Sequence, residues 1–280
     1  MARVVVTGGS GSAGRVVVRD LLEHGDEVVS VDLVGSPEPG CEQIQADLTG
    51  YDEAVKALDG ADAAVHLAAI PAPGLYPDDV TFRVNTASTY NVFSAAAALG
   101  LRRVVWASTA MVMGLPYERG SPAYAPIDEE HPLQPEDSYA LSKLVGEELA
   151  RQLSRSAGIP YVGLRFVNIM QPEHYELFPG WWEDPRERRW TLWGYVDARD
   201  AALACRLALA ADLSGAEVFV VSAADTVMNR SSRGLMDDLY PGVPLREGHG
   251  EFETLLSIGK ARQLLGYEPR HSWRDHLGSA

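Results

Sequence analysis

The chain has few cysteines and no long apolar run. Its 280 residues include only Cys41 and Cys205, which lie far apart in the sequence. Two distant thiols supply neither a disulfide framework nor the clustered ligands of a metal site, so we expect no bound metal. No apolar segment approaches the ~20 residues of a membrane span, and no signal peptide precedes the first predicted strand. These absences predict a folded protein of the reducing cytoplasm.

Positive charge is also scarce. Lysine and arginine total 24 against 39 acidic residues, and the formal net charge is −15. A field of that sign repels nucleic acid and anionic membranes, so we expect neither as a partner. A local group of backbone amides and arginines can still bind a small anion. The expected partner is therefore a small molecule.

Regularly spaced glycines follow a run of valines at the start of the chain. Gly8 and Gly11 stand between this predicted strand and a predicted helix that begins with Ser12 and Ala13, and Gly14 lies in the first turn of that helix. In such a unit the glycines permit a tight turn, close approach of a pyrophosphate and close packing of the helix on the strand. The amides at the helix start face the anion. The spacing TGxxGxxG predicts a dinucleotide site, with a plain strand-to-helix turn as the alternative.

An acidic residue ends the second predicted strand. Asp32 lies 18 residues after Gly14, where a carboxylate can accept hydrogen bonds from the adenosine ribose of NAD. The same carboxylate would repel a 2′-phosphate, and residues 33–35 contain no arginine or lysine. NAD is therefore favoured over NADP, although Asp32 could instead only cap the next turn.

Strand and helix patterns alternate through about the first 225 residues. Strands separated by helices form right-handed βαβ units and a parallel sheet, so we predict an α/β fold with a doubly wound, Rossmann-type sheet and a small C-terminal cap. The predicted strands are residues 2–6, 27–31, 42–46, 62–66, 102–107, 160–164 and 216–221, and the predicted helices are 12–24, 51–58, 78–98, 138–156 and 198–210.

Two long proline-rich connections, residues 111–137 and 169–195, interrupt this alternation. Loops of this length in a compact domain usually carry function, and both follow strands, so both are expected at the carboxyl edge of the sheet. A further helix is predicted near residues 254–265. We predict an NAD-binding part formed by residues 1–168 and 196–225, and a substrate loop and cap formed by 169–195 and 226–280, within one compact unit.

A tyrosine and a lysine stand four residues apart in the predicted helix 138–156. Tyr139 and Lys143 would share one face of this helix, where the cation lowers the pKa of the phenol from its usual value near 10. Such a tyrosine can exchange a proton with a substrate hydroxyl while hydride passes to a nicotinamide. The spacing is common by chance, but here it follows a dinucleotide turn.

The sequence resembles the extended short-chain dehydrogenase/reductase family, which includes sugar-nucleotide epimerases, dehydratases and uronate dehydrogenases. The resemblance covers roughly residues 1–225 and also rests on the motifs Ala46–Leu48, His66–Ala69, Arg83–Asn85 and Trp106–Gly114. It implies that further cofactor contacts come from Asp47, Leu48, Leu67, Ala68, Ala69 and Asn85.

The resemblance also implies catalytic roles. Tyr139 would be the acid/base, and Lys143 would bind the nicotinamide ribose. Counting back from Gly114 places the third catalytic hydroxyl on Thr109, and Ser108 beside it could also reach the substrate. His66 is not needed as a base and is expected to be a structural histidine.

The substrate is less well defined by the motifs. Asn168 and His174 are expected at the substrate, in a segment similar to the uronate dehydrogenase branch. That branch has a carboxylate-binding arginine where this chain has Glu176, which cannot pair with an ionised carboxylate. A uronate therefore requires an arginine from the same loop. Otherwise these arginines form a solvated surface run. The tryptophans of the loop either pack it onto the protein or face a sugar. The candidates are Arg186, Arg188 and Arg189, and the tryptophans are Trp181, Trp182, Trp190 and Trp193.

The expected function is NAD-dependent oxidation of a secondary alcohol of a sugar or sugar acid, in carbohydrate metabolism. A sugar-nucleotide 4-epimerase would use the same residues and is the alternative. A non-catalytic NAD-binding regulator is disfavoured because Tyr139, Lys143 and Thr109 are all present. By resemblance, the predicted helices 78–98 and 138–156 could form a homodimer.

Overall fold

A computed structural model describes residues 1–35 and 40–277. Strands and helices alternate along most of the chain. The strands are β1 (Arg3–Thr7), β2 (Glu27–Asp32), β3 (Glu42–Gln45), β4 (Ala63–His66), β5 (Arg103–Thr109), β6 (Tyr161–Phe166), β7 (Ile169–Met170), β8 (Val196–Asp197) and β9 (Ala216–Val221). The helices are α1 (Ser12–Glu23), α2 (Tyr51–Leu58), α3 (Asp78–Leu99), α4 (Ser138–Ala157), α5 (Ala198–Ala210), α6 (Ser232–Leu239), α7 (Gly259–Leu265) and α8 (Trp273–Leu277).

Seven strands form one sheet in the order β3-β2-β1-β4-β5-β6-β9. The pairs β1–β2, β1–β4, β2–β3 and β4–β5 are parallel, and Val5 of β1 lies opposite Val29 and Ala64. The order reverses between β1 and β4, and ligands of open α/β sheets bind at such a switch point. The predicted Rossmann-type fold is confirmed.

Aromatic packing brings α4 close to the sheet. The ring of Phe93 lies 5.4 Å from that of Trp106 and 4.8 Å from that of Tyr161, between ring centres. Gly146 of α4 and Gly163 of β6 leave room for the Trp106 indole, because a Cβ would lie 3.0 Å from it at Gly146 and 3.2 Å at Gly163. Close packing of this kind fixes α4, and with it the predicted catalytic pair, against β5.

The connections differ from their sequence-based description. The segment 169–195 contains two 3₁₀ helices, Pro172–Trp181 and Pro185–Thr191, each with a proline in its first turn, where the missing N–H costs nothing. The helix predicted near 254–265 begins only at Gly259. The residues before it are extended, since Thr254 donates to Ala224 O at 2.9 Å and Leu255 O accepts from Ile127 N at 2.9 Å.

The described residues divide into two compact units. Unit 1 contains Met1–Ser108, Asp137–Leu164 and Ala202–Val218, and unit 2 contains Thr109–Glu136, Arg165–Ala201 and the chain from Phe219 onward. The division predicted from the sequence has other boundaries and remains a prediction about function. Within residues 1–35 and 40–277, no helix combines the length and apolarity that a membrane crossing demands.

Candidate active site

The glycine turn of unit 1 is tightly closed. Gly8 has φ +72°, and a Cβ there would lie 2.6 Å from the amide nitrogen of Ala68. A Cβ on Gly14 would lie 2.0 Å from Gly8 O, so neither position accepts a side chain. Gly11 caps α1 without a side-chain hydrogen bond, and Ser12 is exposed at its first position. This backbone cradle at a helix start fits a pyrophosphate.

Asp32 lies beside this turn, half-buried at the end of β2. Its Oδ2 accepts a hydrogen bond from Ser10 N at 3.0 Å, and its Oδ1 accepts one from Leu33 N at 2.7 Å. The hydroxyl of Ser10 in turn donates to Val34 O at 2.7 Å. The carboxylate thus fixes the turn locally, and the predicted ribose contact would be an additional role.

The loop after β4 is held by Asn85 of α3. Asn85 Oδ1 accepts from Ile70 N at 2.8 Å, and its Nδ2 donates to Ile70 O at 3.1 Å and to Ser142 Oγ of α4 at 3.3 Å. Leu67, Ala68 and Ala69 are half-buried in this loop. The Asn85 amide therefore positions the predicted cofactor loop, and its direct contact with the cofactor stays a prediction.

The predicted adenine segment is anchored in a similar way. Asn91 Nδ2 donates to Leu48 O at 3.0 Å and to Thr49 O at 2.9 Å. Leu48 is buried, whereas Asp47 is exposed and accepts hydrogen bonds from the Thr49 hydroxyl and amide, which lower the pKa of its carboxyl. These contacts leave the segment ordered next to the end of β3.

His66 is a structural histidine, as expected. Its Nδ1 lies 2.7 Å from Thr7 Oγ1 and its Nε2 lies 3.3 Å from Thr89 Oγ1, and the ring is fully buried. Burial, with a smaller contribution from the charge of Lys143, lowers the pKa of His66 to about 3. The imidazole is therefore neutral and hydrogen-bonded to side chains of β1 and α3.

The structure brings Tyr139 and Lys143 together in the first turns of α4. Asp137 caps this helix by accepting from Ala140 N at 2.7 Å, which fixes where the helix begins. Lys143 Nζ lies 5.7 Å from the centre of the Tyr139 ring and donates to Ala107 O of β5 at 2.9 Å. Burial lowers the pKa of Lys143 to about 8, so the ammonium remains largely charged at neutral pH.

Ser108 makes a contact that the sequence reasoning missed. Its buried hydroxyl donates to Glu147 Oε1 at 2.7 Å, and Glu147 is itself buried in α4. The signal that could have revealed Glu147 is its spacing, four residues after Lys143 on the same helix. The hydroxyl of Ser108 is thus directed at α4, and its predicted substrate contact stays a prediction.

The predicted substrate residues belong to unit 2, except Ser108. Thr109 is buried, and its Oγ1 accepts from Met111 N at 3.3 Å, capping a 3₁₀ turn. Asn168 is half-buried, and its carbonyl accepts from Val196 N at 3.0 Å. The Nδ1 of His174 accepts from Gln171 N at 3.1 Å, an arrangement that leaves the ring proton on Nε2.

A buried arginine of unit 2 has two nitrogens without a hydrogen-bond partner among the described residues. The Arg188 side chain contacts two indoles, with its guanidinium carbon 4.4 Å from the ring centre of Trp181 and 4.6 Å from that of Trp190. Only 7% of the residue is exposed, and among the described residues its Nε and Nη2 have no hydrogen-bond partner. Burial lowers its pKa to about 10, so it stays charged near pH 7. By contrast, Arg186 is exposed and pairs with Asp184 at 2.8 Å.

The backbone after Arg188 is fixed in a strained conformation. Leu192 and Trp193 are fully buried and have φ values of +48° and +55°, which cost free energy in residues other than glycine. The Trp193 amide donates to Arg188 O at 3.1 Å, and its indole N–H donates to Pro185 O at 2.6 Å. Trp193 therefore packs the loop. Trp182 also does so, because its indole N–H donates to Val227 O at 2.9 Å.

Comparisons with known proteins show the family of the chain. The sequence model of the NAD dependent epimerase/dehydratase family matches residues 4–222. An L-arabinose 1-dehydrogenase (NAD(P)(+)) of Haloferax volcanii is 33% identical over 173 residues, which cover 59% of this chain and 66% of that protein. That share is just under two thirds, and matches to several other curated relatives span about half of their length.

Two solved structures are similar along nearly the whole chain. A short-chain dehydrogenase/reductase superfamily protein of Agrobacterium tumefaciens with bound NAD is 26% identical, with a TM-score of 0.76 and coverage of 98% of this chain and 94% of that one. A UDP-galactose 4-epimerase is 26% identical, with a TM-score of 0.73 and coverage of 99% and 96%. Since the family model spans β1 to β9, this chain belongs to the NAD-dependent epimerase/dehydratase family of short-chain dehydrogenase/reductase enzymes.

Proposed function

We propose that this enzyme oxidises a secondary alcohol of a sugar acid, with NAD as the hydride acceptor. The observation that carries the substrate class is the unpaired, buried guanidinium of Arg188. A sugar carboxylate of the uronate type supplies the missing anion. The proposal assigns to Arg188 the role that sequence reasoning left open among Arg186, Arg188 and Arg189.

The environment of Arg188 favours an anionic ligand. Burying a guanidinium without a carboxylate partner costs several kcal/mol, and each indole face returns about 2 kcal/mol. The atoms without a partner among the described residues are Nε and Nη2, whose N–H bonds lie along the same edge of the planar guanidinium. These two parallel donors match both oxygens of one carboxylate.

The reacting hydroxyl would be handled by Tyr139, Lys143 and Thr109. In the proposal, the nearby ammonium of Lys143 stabilises Tyr139 as a phenolate, and this phenolate takes the proton of the hydroxyl and becomes a neutral phenol. Thr109 donates a hydrogen bond to the same substrate oxygen. NAD, when bound, supplies the acceptor for the hydride. The glycine turn and Asp32 would hold its pyrophosphate and ribose.

A sugar-nucleotide 4-epimerase is the second candidate. It is favoured by the likeness to a UDP-galactose 4-epimerase at 26% identity and to a putative UDP-glucose 4-epimerase of Methanocaldococcus jannaschii at 31%. A nucleotide diphosphate could also neutralise Arg188. The two functions differ in outcome, because a dehydrogenase releases NADH and an epimerase retains the cofactor.

The test compares sugars that differ only in their carboxylate. NADH formation is followed with NAD and glucuronate, galacturonate, glucose or galactose, for the wild type, Arg188→Met and the matched exposed control Arg186→Met. Removing one partner of a buried charge pair costs 2–5 kcal/mol, so Arg188→Met should lower kcat/KM for the uronate by about 30-fold or more. The control should retain its activity, and Tyr139→Phe should be inactive.

Other results would refute the proposal in distinct ways. Equal activity on uronates and neutral aldoses, unaffected by Arg188→Met, would exclude the sugar-acid assignment. No NADH with any sugar, together with interconversion of UDP-glucose and UDP-galactose, would establish the epimerase. NAD binding without either reaction would point to the regulator.

A further inference from the structure

Two consecutive residues at the end of β5 form hydrogen bonds with successive turns of α4. The carbonyl of Ala107 accepts from Lys143 Nζ at 2.9 Å, and the hydroxyl of Ser108 donates to Glu147 at 2.7 Å. Lys143, Ser108 and Glu147 are each at most 4% exposed. Lys143 and Glu147 are one helical turn apart, so they share a face of α4. The two hydrogen bonds therefore act side by side between one strand and one helix.

We propose that Glu147 is a positioning residue, which holds the end of β5 against α4 through Ser108 and thereby keeps the Ala107 carbonyl on the Lys143 ammonium. The proposal rests on the proposed function only for the role of Tyr139 as acid/base. It assigns no contact with substrate or cofactor to Glu147.

The surroundings explain why the ammonium depends on such an anchor. Lys143 is buried near His66, whose neutral ring neither repels the ammonium nor balances its charge. A buried ammonium relies on the acceptors that the protein fixes near it. A shift of the Ala107 carbonyl would release Lys143 from its place 5.7 Å from the Tyr139 ring. A weaker field at Tyr139 would then raise the pKa of its phenol.

The sign of this change separates positioning from a direct charge effect. Replacing Glu147 by a neutral residue adds no negative charge that would raise the pKa of the phenol directly. A rise in Glu147→Ala therefore points to displacement of the ammonium. Ser108→Ala breaks the same hydrogen bond without changing any charge.

The experiment is a titration of Tyr139 alone, by ultraviolet difference spectra between each variant and the same variant carrying Tyr139→Phe. The variants are Ser108→Ala, Glu147→Ala, Glu147→Gln and the control Glu148→Ala, whose exposed carboxylate pairs with Arg151. Ser108→Ala and Glu147→Ala should raise the pKa of Tyr139 by about one, and the double variant should raise it no further. Glu147→Gln keeps an acceptor and should not raise it, and the control should match the wild type.

Turnover provides a second measurement. With the substrate that the wild type oxidises, Ser108→Ala and Glu147→Ala should lower kcat at least tenfold while KM changes less than twofold. A pKa of Tyr139 that is unchanged or lower in both variants would overturn the proposal. Because the titration needs no substrate, a chain inactive on every sugar would refute the proposed function and leave this test intact.

Discussion

The buried, neutral state of His66 should make the stability of the protein fall in mild acid. The pKa of His66 is about 3 in the folded protein against 6.5 in the unfolded chain, because the ring is buried. Between these values the unfolded chain binds a proton that the folded protein does not. The contribution is therefore fully present above pH 6.5 and is lost as the pH falls toward 3.

The size of this loss follows from the two pKa values. Each pH unit inside the window removes up to about 1.4 kcal/mol, so His66 alone should lower the free energy of unfolding by about 2 kcal/mol between pH 8 and pH 5. The Glu129 carboxyl, whose pKa is raised by burial, acts in the opposite direction. A matched variant that lacks only the imidazole is needed to cancel such contributions.

The assay is urea unfolding of the wild type and of His66→Gln at pH 8 and pH 5, followed by tryptophan fluorescence. Glutamine does not titrate. The free energy of unfolding of the variant, relative to that of the wild type, should therefore be about 2 kcal/mol more favourable at pH 5 than at pH 8. A stability difference that is the same at both pH values would refute the buried neutral state of His66.

Two further predictions concern the cofactor side of unit 1. Asp32→Ala removes the carboxylate that would repel a 2′-phosphate, so the preference for NAD over NADP in kcat/KM should fall at least tenfold; an unchanged preference would show that Asp32 serves only the Ser10 and Leu33 amides. Gly14→Ala places a Cβ 2.0 Å from Gly8 O, so NAD affinity measured by calorimetry should drop at least a hundredfold. Gly120→Ala, where a Cβ meets open space, is its control, and equal affinities in both variants would contradict the tight turn.

Local patterns in the sequence were sufficient for much of the fold. The strand–turn–helix unit at Gly8 and the alternation of periods predict the parallel sheet, since each depends on neighbours along the chain. Tyr139 and Lys143 are found together for the same reason, because an i, i+4 spacing in a helix fixes their proximity. The helix ends also follow local signals, such as the Asp137 cap.

The features that the sequence did not predict depend on contacts between distant segments. The contacts of Arg188 with Trp181 and Trp190 depend on the conformation of the whole loop, which includes a left-handed backbone at Leu192 and Trp193 that no propensity favours. The hydrogen bond between Ser108 and Glu147 was not predicted either, because the two residues are 39 positions apart and only the packing of α4 on β5 brings them together. The substrate contact of Ser108 stays a prediction.

The way in which the chain alternates between the two units has a consequence for dissection. The chain passes from unit 1 to unit 2 after Ser108, returns to unit 1 at Asp137, and passes to unit 2 again after Leu164. No single cut therefore yields either unit, and a fragment that ends at residue 108 lacks the helix that carries Tyr139 and Lys143. Substitutions in the intervening segments therefore change unit 2 while the glycine turn of unit 1 keeps its sequence.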